Sequence, residues 1–350
     1  MPAHLNSVQY LRAIAAMMVV LFHMGVPLQR LGYEGSWPDW PARGIDIFFV
    51  ISGLIMWVVT ADRNVRLRDF FYRRVVRIVP IYWLLTSFIV GLLLLAPALV
   101  QSGRFEVWHV VASYLFLPAS HPVIDMVAPA LIPGWTLNYE MFFYAIFGLS
   151  LLLPPGQRLP AICGVLALLV ALGEIMRPGG VMLAFYTSPI ILEFGFGVAL
   201  GAALGRGWAM PPWLAWPTIG LGFVALAMGD EAWAHRVIVA GLPSLAIVAG
   251  VVSLEVAGKV PSLRVPNLLG DASYALYLTH TIVLSAMGQV AYRLGLGGLP
   301  GGLVIFVLLA CVATQLASLA IHMAFERPLN RRLLRLGRDM GSARTLRVAA

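Results

Sequence analysis

Arg12 and His23 lie eleven residues apart in one apolar run, LRAIAAMMVVLFHMG. At 100° per residue that separation is three turns plus roughly 20°, so both side chains share one helical face, about 16 Å apart along the axis. An ionisable group inside a membrane span costs at least ~2.5 kcal/mol unless it faces protein or water. Two on one stripe imply a polar conduit through much of a bilayer. Asp46 in GIDIFFVISG and Glu140 in WTLNYEMFFY each sit close to the start of an apolar run. Counting inward from the run ends puts His23, Asp46 and Glu140 in one layer in the outer third. An imidazole beside carboxylates is the composition of a general acid–base site, with histidine as base and a carboxylate fixing its tautomer. The same groups could instead hydrogen-bond helices together.

A second set is cationic. In RNVRLRDFFYRRVVRIVPIYW, Arg73, Arg74 and Arg77 stand where an apolar run begins and partly share a helical face. Planar guanidinium groups bind phosphates bidentately; the alternative is anchors that fix topology and touch lipid headgroups. In GDASYALYLTH, spacings of four and three put Ser273, Tyr277 and His280 on one face, with His280 lining the conduit or satisfied structurally. Glu193, among glycines, is a structural or lining carboxylate. Glu174 and Glu255 lie near span ends, and His322 and Glu326 cap the last span or anchor the tail. No HExxH, CxxC or P-loop pattern occurs, so the sequence makes no case for a metal or for nucleotide hydrolysis.

The elements that position these groups are membrane spans. The 350 residues are 60% hydrophobic and 11% charged, against about 25% charged in a soluble domain. Apolar runs of spanning length fall at 8–28, 44–61, 78–100, 135–154, 160–177, 186–205, 213–229, 236–255, 268–293 and 301–324. The expected fold is all-α and polytopic, with about ten transmembrane helices. The run 107–117 is short and reads as a re-entrant or interfacial segment. With the N-terminus inside and ten spans, 17 Arg or Lys face the cytoplasm and six face out; if 107–117 crossed, the split would be 9 and 14. The positive-inside rule favours the first, with both termini cytoplasmic. The net charge of +8 therefore reports orientation rather than a nucleic-acid partner. Residues 1–324 form the membrane domain. Residues 325–350, arginines interleaved with leucines, form a basic amphipathic tail on the inner surface. The first run lacks a preceding basic residue and a cleavage site, so it reads as an uncleaved span. Cys163 and Cys311 fall in separate apolar segments and make no disulfide framework.

Arg12 with His23, FFVISG after Gly44, RRVVR at 73–77, WTLNYE, SYALYLTH and the closing FERP together resemble membrane acyltransferase family 3, over residues 5 to about 330. The start of the chain looks most like its bacterial exopolysaccharide O-acetyltransferase members. The resemblance implies transfer of an acyl group, usually acetyl from cytoplasmic acetyl-CoA, to a hydroxyl of a saccharide or glycolipid acceptor on the outer side of a bacterial inner membrane. It carries the family's Arg–His pair onto Arg12 and His23, and its Arg-x-x-Arg onto Arg74 and Arg77. The expected site has His23 as base, oriented by Asp46 or Glu140. Arg73, Arg74 and Arg77 take the nucleotide end, Arg12 the phosphate or arm, and Tyr277 and His280 line the donor path. Ser52, Asn138 and Tyr139 are available as oxyanion stabilisers. A transporter or flippase for an anionic or lipid-linked saccharide is the competing reading; the lack of an internal repeat weighs against it.

Arginine counting makes a topological prediction. In a background without Cys163 and Cys311, a cysteine at 158 or 206 should be labelled only from the cytoplasm, and one at 231 only from outside. Outside labelling at 206 would mean that 107–117 crosses.

Overall fold

The computed structural model describes residues 5–61, 65–100, 103–230 and 236–348, without side chains at 99 and 338–348. Fifteen α-helices follow in order: α1 Asn6–His23, α2 Gly25–Arg30, α3 Gly44–Thr60, α4 Leu67–Leu95, α5 Val107–Tyr114, α6 Trp135–Ser150, α7 Pro155–Met176, α8 Val181–Tyr186, α9 Leu192–Gly205, α10 Pro212–Met228, α11 Leu242–Val256, α12 Arg264–Asp271, α13 Ser273–Arg293, α14 Gly302–Ile321 and α15 Arg327–Val348. Among the described residues there is no strand, only a bridge between Ser120 and Val127. Among the described residues, seven segments are long and apolar enough to cross a membrane. The first joins α1 to α2 as Asn6–Arg30, and the last, Gly302–Gly337, continues past residue 325 without a break. α10, at 17 residues, is a shorter apolar helix.

α4 begins eleven residues before the apolar run expected at 78, so Arg68 to Arg77 ride on its first turns instead of in a loop. α5 and α6 both descend along α4. Gly103, before α5, packs on Leu93. At the end of α5, the Ser113 carbonyl accepts from the Tyr82 hydroxyl at 2.9 Å. Gly134, at the start of α6, packs against the same Tyr82 ring. From Leu93 to Tyr82 is eleven residues of helix, about 16 Å. α6 then carries on to Phe71, whose ring meets Gly148. The segment 107–117 is therefore the upper piece of a descent that α6 completes.

The helices are held by contacts their sequences anticipate only in part. Aromatic rings of three helices stack in the centre: Phe143 lies 4.4 Å from Phe194, which lies 4.6 Å from Phe49. Glu255 at the end of α11 accepts the Asn6 and Ser7 backbone N–H groups at 2.8 and 2.7 Å, capping α1 with an anion at its positive end. Arg43, 1% exposed, donates to the Leu226 carbonyl and, at 2.8 Å, to the Gly229 carbonyl, closing the end of α10. α3 and α9 touch backbone to backbone. A Cβ at Gly53 would stand 2.0 Å from the Phe194 oxygen, and one at Gly197 2.0 Å from the Val50 oxygen. In lipid, such small-residue contacts supply the dispersion that holds helices together.

Gly197→Ala should therefore lower thermal stability in detergent by about 1–3 kcal/mol through overpacking. Gly205→Ala on the same helix, where an added Cβ meets nothing within 4 Å, should leave it unchanged or raise it. Equal melting temperatures for the two variants would show that the contact is not tight.

Candidate active site

Helix α1 presents the first functional stripe. Arg12 reaches Gln9 Oε1 at 3.1 Å and lines a cavity of about 320 Å³. Arg74 and Arg77 enter the same cavity from α4, Ser52 from α3, Glu140 and Tyr144 from α6, and Tyr277 from α13. The Arg74 guanidinium lies 5.8 Å from the ring centres of both Phe70 and Tyr144, a cation–π arrangement that fixes its position. Glu140 is held as well: Tyr144 donates to its Oε1, and Ser52 does so at 3.3 Å. Three guanidinium groups and one inward carboxylate leave the cavity net positive, while most of its remaining wall is apolar. It suits an anion attached to a slender apolar arm.

The cavity lining includes Phe48, Thr136 and Tyr277. There Thr136 donates to the Tyr277 hydroxyl at 3.0 Å, and Phe48 stands edge-on to the Tyr277 ring. One turn further along α13, about 4.5 Å, is His280, fully buried. Its Nδ1 is 2.7 Å from the Tyr277 carbonyl and its Nε2 is 3.2 Å from Nδ1 of His23. His23 Nδ1 is also 2.9 Å from the Val19 carbonyl. These bonds fix both tautomers. A carbonyl only accepts, so His280 carries its proton on Nδ1 and offers a lone pair at Nε2. His23 likewise carries its proton on Nδ1, shared between the Val19 oxygen and His280. Its Nε2 is left as a basic lone pair, on a half-buried ring.

The layer of one histidine and two carboxylates does not form. Asp46, fully buried, is ion-paired to Arg236 at 2.7 Å with Glu193 beside it. Glu140 sits among the cavity arginines. The reason is depth. A Cβ at Gly44, the first residue of α3, would lie 2.4 Å from the Ala15 carbonyl, eight residues or about 12 Å below His23 on α1. α6 starts deeper still than a full span would, at the level of Tyr82. The group that orients His23 is His280, expected on the donor path, and neither carboxylate does so. Arg73 is exposed and points away from the cavity that Arg74 and Arg77 line. Arg12, Arg74, Arg77 and Tyr277 are gathered as expected. His322 bonds Glu326 at 2.8 Å, away from the cavity. Tyr144 and Gln9 escaped the sequence reading, although Tyr144 follows Glu140 by four residues, the spacing of helical neighbours. Arg236, counted there only as an outer-loop charge, gave no sign of being the partner of Asp46. Among the described residues no group of three or more His, Cys, Asp or Glu side chains could hold a metal.

Two curated relatives and one family model match the chain. The chain is 39% identical over 302 residues to "Exopolysaccharide production protein ExoZ" of Rhizobium meliloti (strain 1021), covering 83% of this chain and 90% of that protein. It is 24% identical over 231 residues to "Putative peptidoglycan O-acetyltransferase YrhL" of Bacillus subtilis (strain 168), covering 57% of this chain but only 33% of the longer relative. No solved structure matches it. The family model described as an acyltransferase domain matches residues 5–323, nearly the whole chain, and the protein belongs to acyltransferase family 3.

Proposed function

We propose that this membrane acyltransferase moves an acetyl or other short acyl group from cytoplasmic acyl-CoA to a hydroxyl of a saccharide or glycolipid on the outer side of a bacterial inner membrane. The observation that carries the reading is an arginine-lined cavity whose Tyr277 lies one helical turn from His280, the hydrogen-bond partner of a His23 ring with a free, basic nitrogen. Both relatives are named for cell-surface polysaccharides, one for exopolysaccharide production and one for peptidoglycan O-acetylation. The bundle crosses ten times, counting α6, α10 and α13 with the seven long segments, and both termini lie in the cytoplasm.

Acyl-CoA enters from the cytoplasmic end. Its phosphates rest on Arg74 and Arg77 and its arm passes Arg12. A volume near the lower limit of small-molecule clefts suits the arm and leaves the nucleotide at the mouth. The thioester passes Phe48 and Tyr277 and arrives beside His23. The acceptor hydroxyl gives its proton to His23 Nε2 as its oxygen attacks the thioester carbonyl carbon. The tetrahedral intermediate collapses, the carbon–sulfur bond breaks, and the thiolate leaves with a proton returned to it. During attack His23 becomes an imidazolium whose Nδ1–H points at two acceptors, so the charge forms where hydrogen bonds already await it. His280 is a positioning residue in this scheme. Glu140 offsets part of the arginines' charge.

In nanodiscs, acetyl-CoA should release thiol only when acceptor is added; a protein that neither hydrolyses nor transfers acetyl would sink the reading. His23→Ala should bind acetyl-CoA normally and lose about 10²–10⁴ in turnover. His280→Leu should lower kcat without changing donor affinity, and His280→Gln, which keeps an acceptor oxygen, should restore part of it. Equal turnover in both His280 variants would make that residue packing only.

The donor side separates in the same assay. Arg74→Ala or Arg77→Ala should weaken acetyl-CoA binding by ~1.5–3 kcal/mol, the worth of a charged hydrogen bond, and Lys at either position should recover only part. Arg73→Ala should change nothing. Parent-like affinity in the Arg74 and Arg77 variants would leave them as topological anchors.

A further inference from the structure

A second cleft, of about 570 Å³, opens at the other end of α4 from the arginines, between the start of α5, the loop 118–122 and the start of α8. Its polar lining is two histidines, Glu106 and Ser120, and no cation is among its lining residues. His109, 2% exposed, lies 2.8 Å by Nε2 from the Ala128 carbonyl, so its proton is on Nε2. Its Nδ1 lone pair is buried without a partner, a state that costs about 1–3 kcal/mol. His121 accepts the Val123 and Ile124 backbone N–H groups on Nδ1 at 3.2 and 3.3 Å. Its proton is therefore on Nε2, a donor it can offer to the cleft. The two rings meet edge to face, 5.0 Å apart at 81°. Burial, and then the His109 imidazole, pull His121 down to about 4, so at neutral pH it is an uncharged donor. Trp108, 54% exposed, supplies an aromatic surface at the rim.

We infer that this cleft is a saccharide-binding subsite, in which sugar hydroxyls donate to His109 Nδ1 and accept from His121 Nε2 while a sugar face lies on Trp108. A hydroxyl is donor and acceptor in one group, which matches one unmet acceptor beside one available donor. The lone pair is buried as the structure stands, so a sugar hydroxyl reaches it only when the side chains around it move. A phosphate or a second coenzyme would need a cation, and a purely apolar ligand would leave both histidines unmet. The volume lies within the ~300–1,000 Å³ of small-molecule clefts. On the acyl-transfer reading, on which this assignment of the ligand rests, the cleft holds the acceptor chain on the side where His23 works and leaves a neighbouring residue free to react.

The probe is a set of oligosaccharides cut from the exopolysaccharide of the producing bacterium and stripped of esters by alkali. Binding to the full chain in nanodiscs is measured by calorimetry, beside acetyl-CoA binding and transfer kinetics. The variants avoid the histidines, which also hold the loop. Trp108→Ala removes the platform. Gly180→Trp fills the cleft from a lining position where an added Cβ meets nothing within 4 Å. Both should weaken oligosaccharide binding at least tenfold and raise the acceptor KM to match, with acetyl-CoA affinity and kcat at saturating acceptor unchanged. Parent-like acceptor affinity in both variants, or no binding by the parent, overturns the subsite while leaving acyl transfer standing. Oligosaccharide binding lost in both variants of a protein that never releases thiol from acetyl-CoA upholds the subsite and overturns acyl transfer instead.

Discussion

Charge inside an apolar bundle has to be met locally, and that constraint sorts this molecule. Arg236 neutralises Asp46 on one side of α3. On the other, Glu140 stands among Arg12, Arg74 and Arg77 with its oxygen already bonded. The two histidines above them meet each other. The arginine group carries an excess of positive charge and surrounds a cavity. The Asp46 pair lies outside that cavity's lining. Breaking such a buried pair by removing one partner strands a charge, at a cost of about 3–5 kcal/mol, so Asp46 bears on the fold as strongly as a catalytic residue bears on rate.

Helix α3 lies between these two environments and is fixed from several directions. Gly53 and Gly197 bring it against α9 at backbone distance, and Gly44 brings its first turn against α1. Arg43, just before it, is clamped to the end of α10. α1 is held at its own start by Glu255. The walls carrying Arg12 and Ser52 are thus rigid relative to one another. The remaining wall, from α4 and α13, is joined to them by side chains such as Tyr274, whose hydroxyl donates to the Ile78 carbonyl at 2.9 Å. Tyr72 extends the same arrangement to α15 by donating to the Leu333 carbonyl at 2.6 Å.

Helical periodicity carried well from sequence to structure where one helix was involved. Arg12 and His23 do share a stripe, and Arg74 and Arg77, three apart, enter one cavity while Arg73 turns away. Arginine counting sets 107–117 apart from the independent spans, and in the structure the segment holds a helix of only 8 residues, Val107–Tyr114. What failed was the assumption that every apolar run begins flush with one surface. Residues 115–134 fold into the bundle, so α6 starts at mid-depth, and α3 starts against Ala15 well below the end of α1. Pairings between helices far apart in sequence were illegible for the same reason. Nothing in the local pattern of His280 or Arg236 says which partner the packing will supply, and a histidine can stand where a carboxylate was expected because its unprotonated nitrogen also accepts a hydrogen bond.

α5 and α6 lie along α4 in two pieces that meet at Tyr82. A continuous helix would insulate the two faces over the full ~30 Å of hydrocarbon. Here irregular backbone lies at mid-depth, where it is tolerated only against protein or water. On the proposed acyl transfer, Phe48, Thr136 and Tyr277 stand between the arginines and the histidines on the donor's path. A unit charge carried across a membrane is subject to ~2.3 kcal/mol per 100 mV. An uncharged acyl group is subject to none of it. A donor that leaves its phosphates on the arginines and advances only its acyl end would therefore react independently of the membrane voltage.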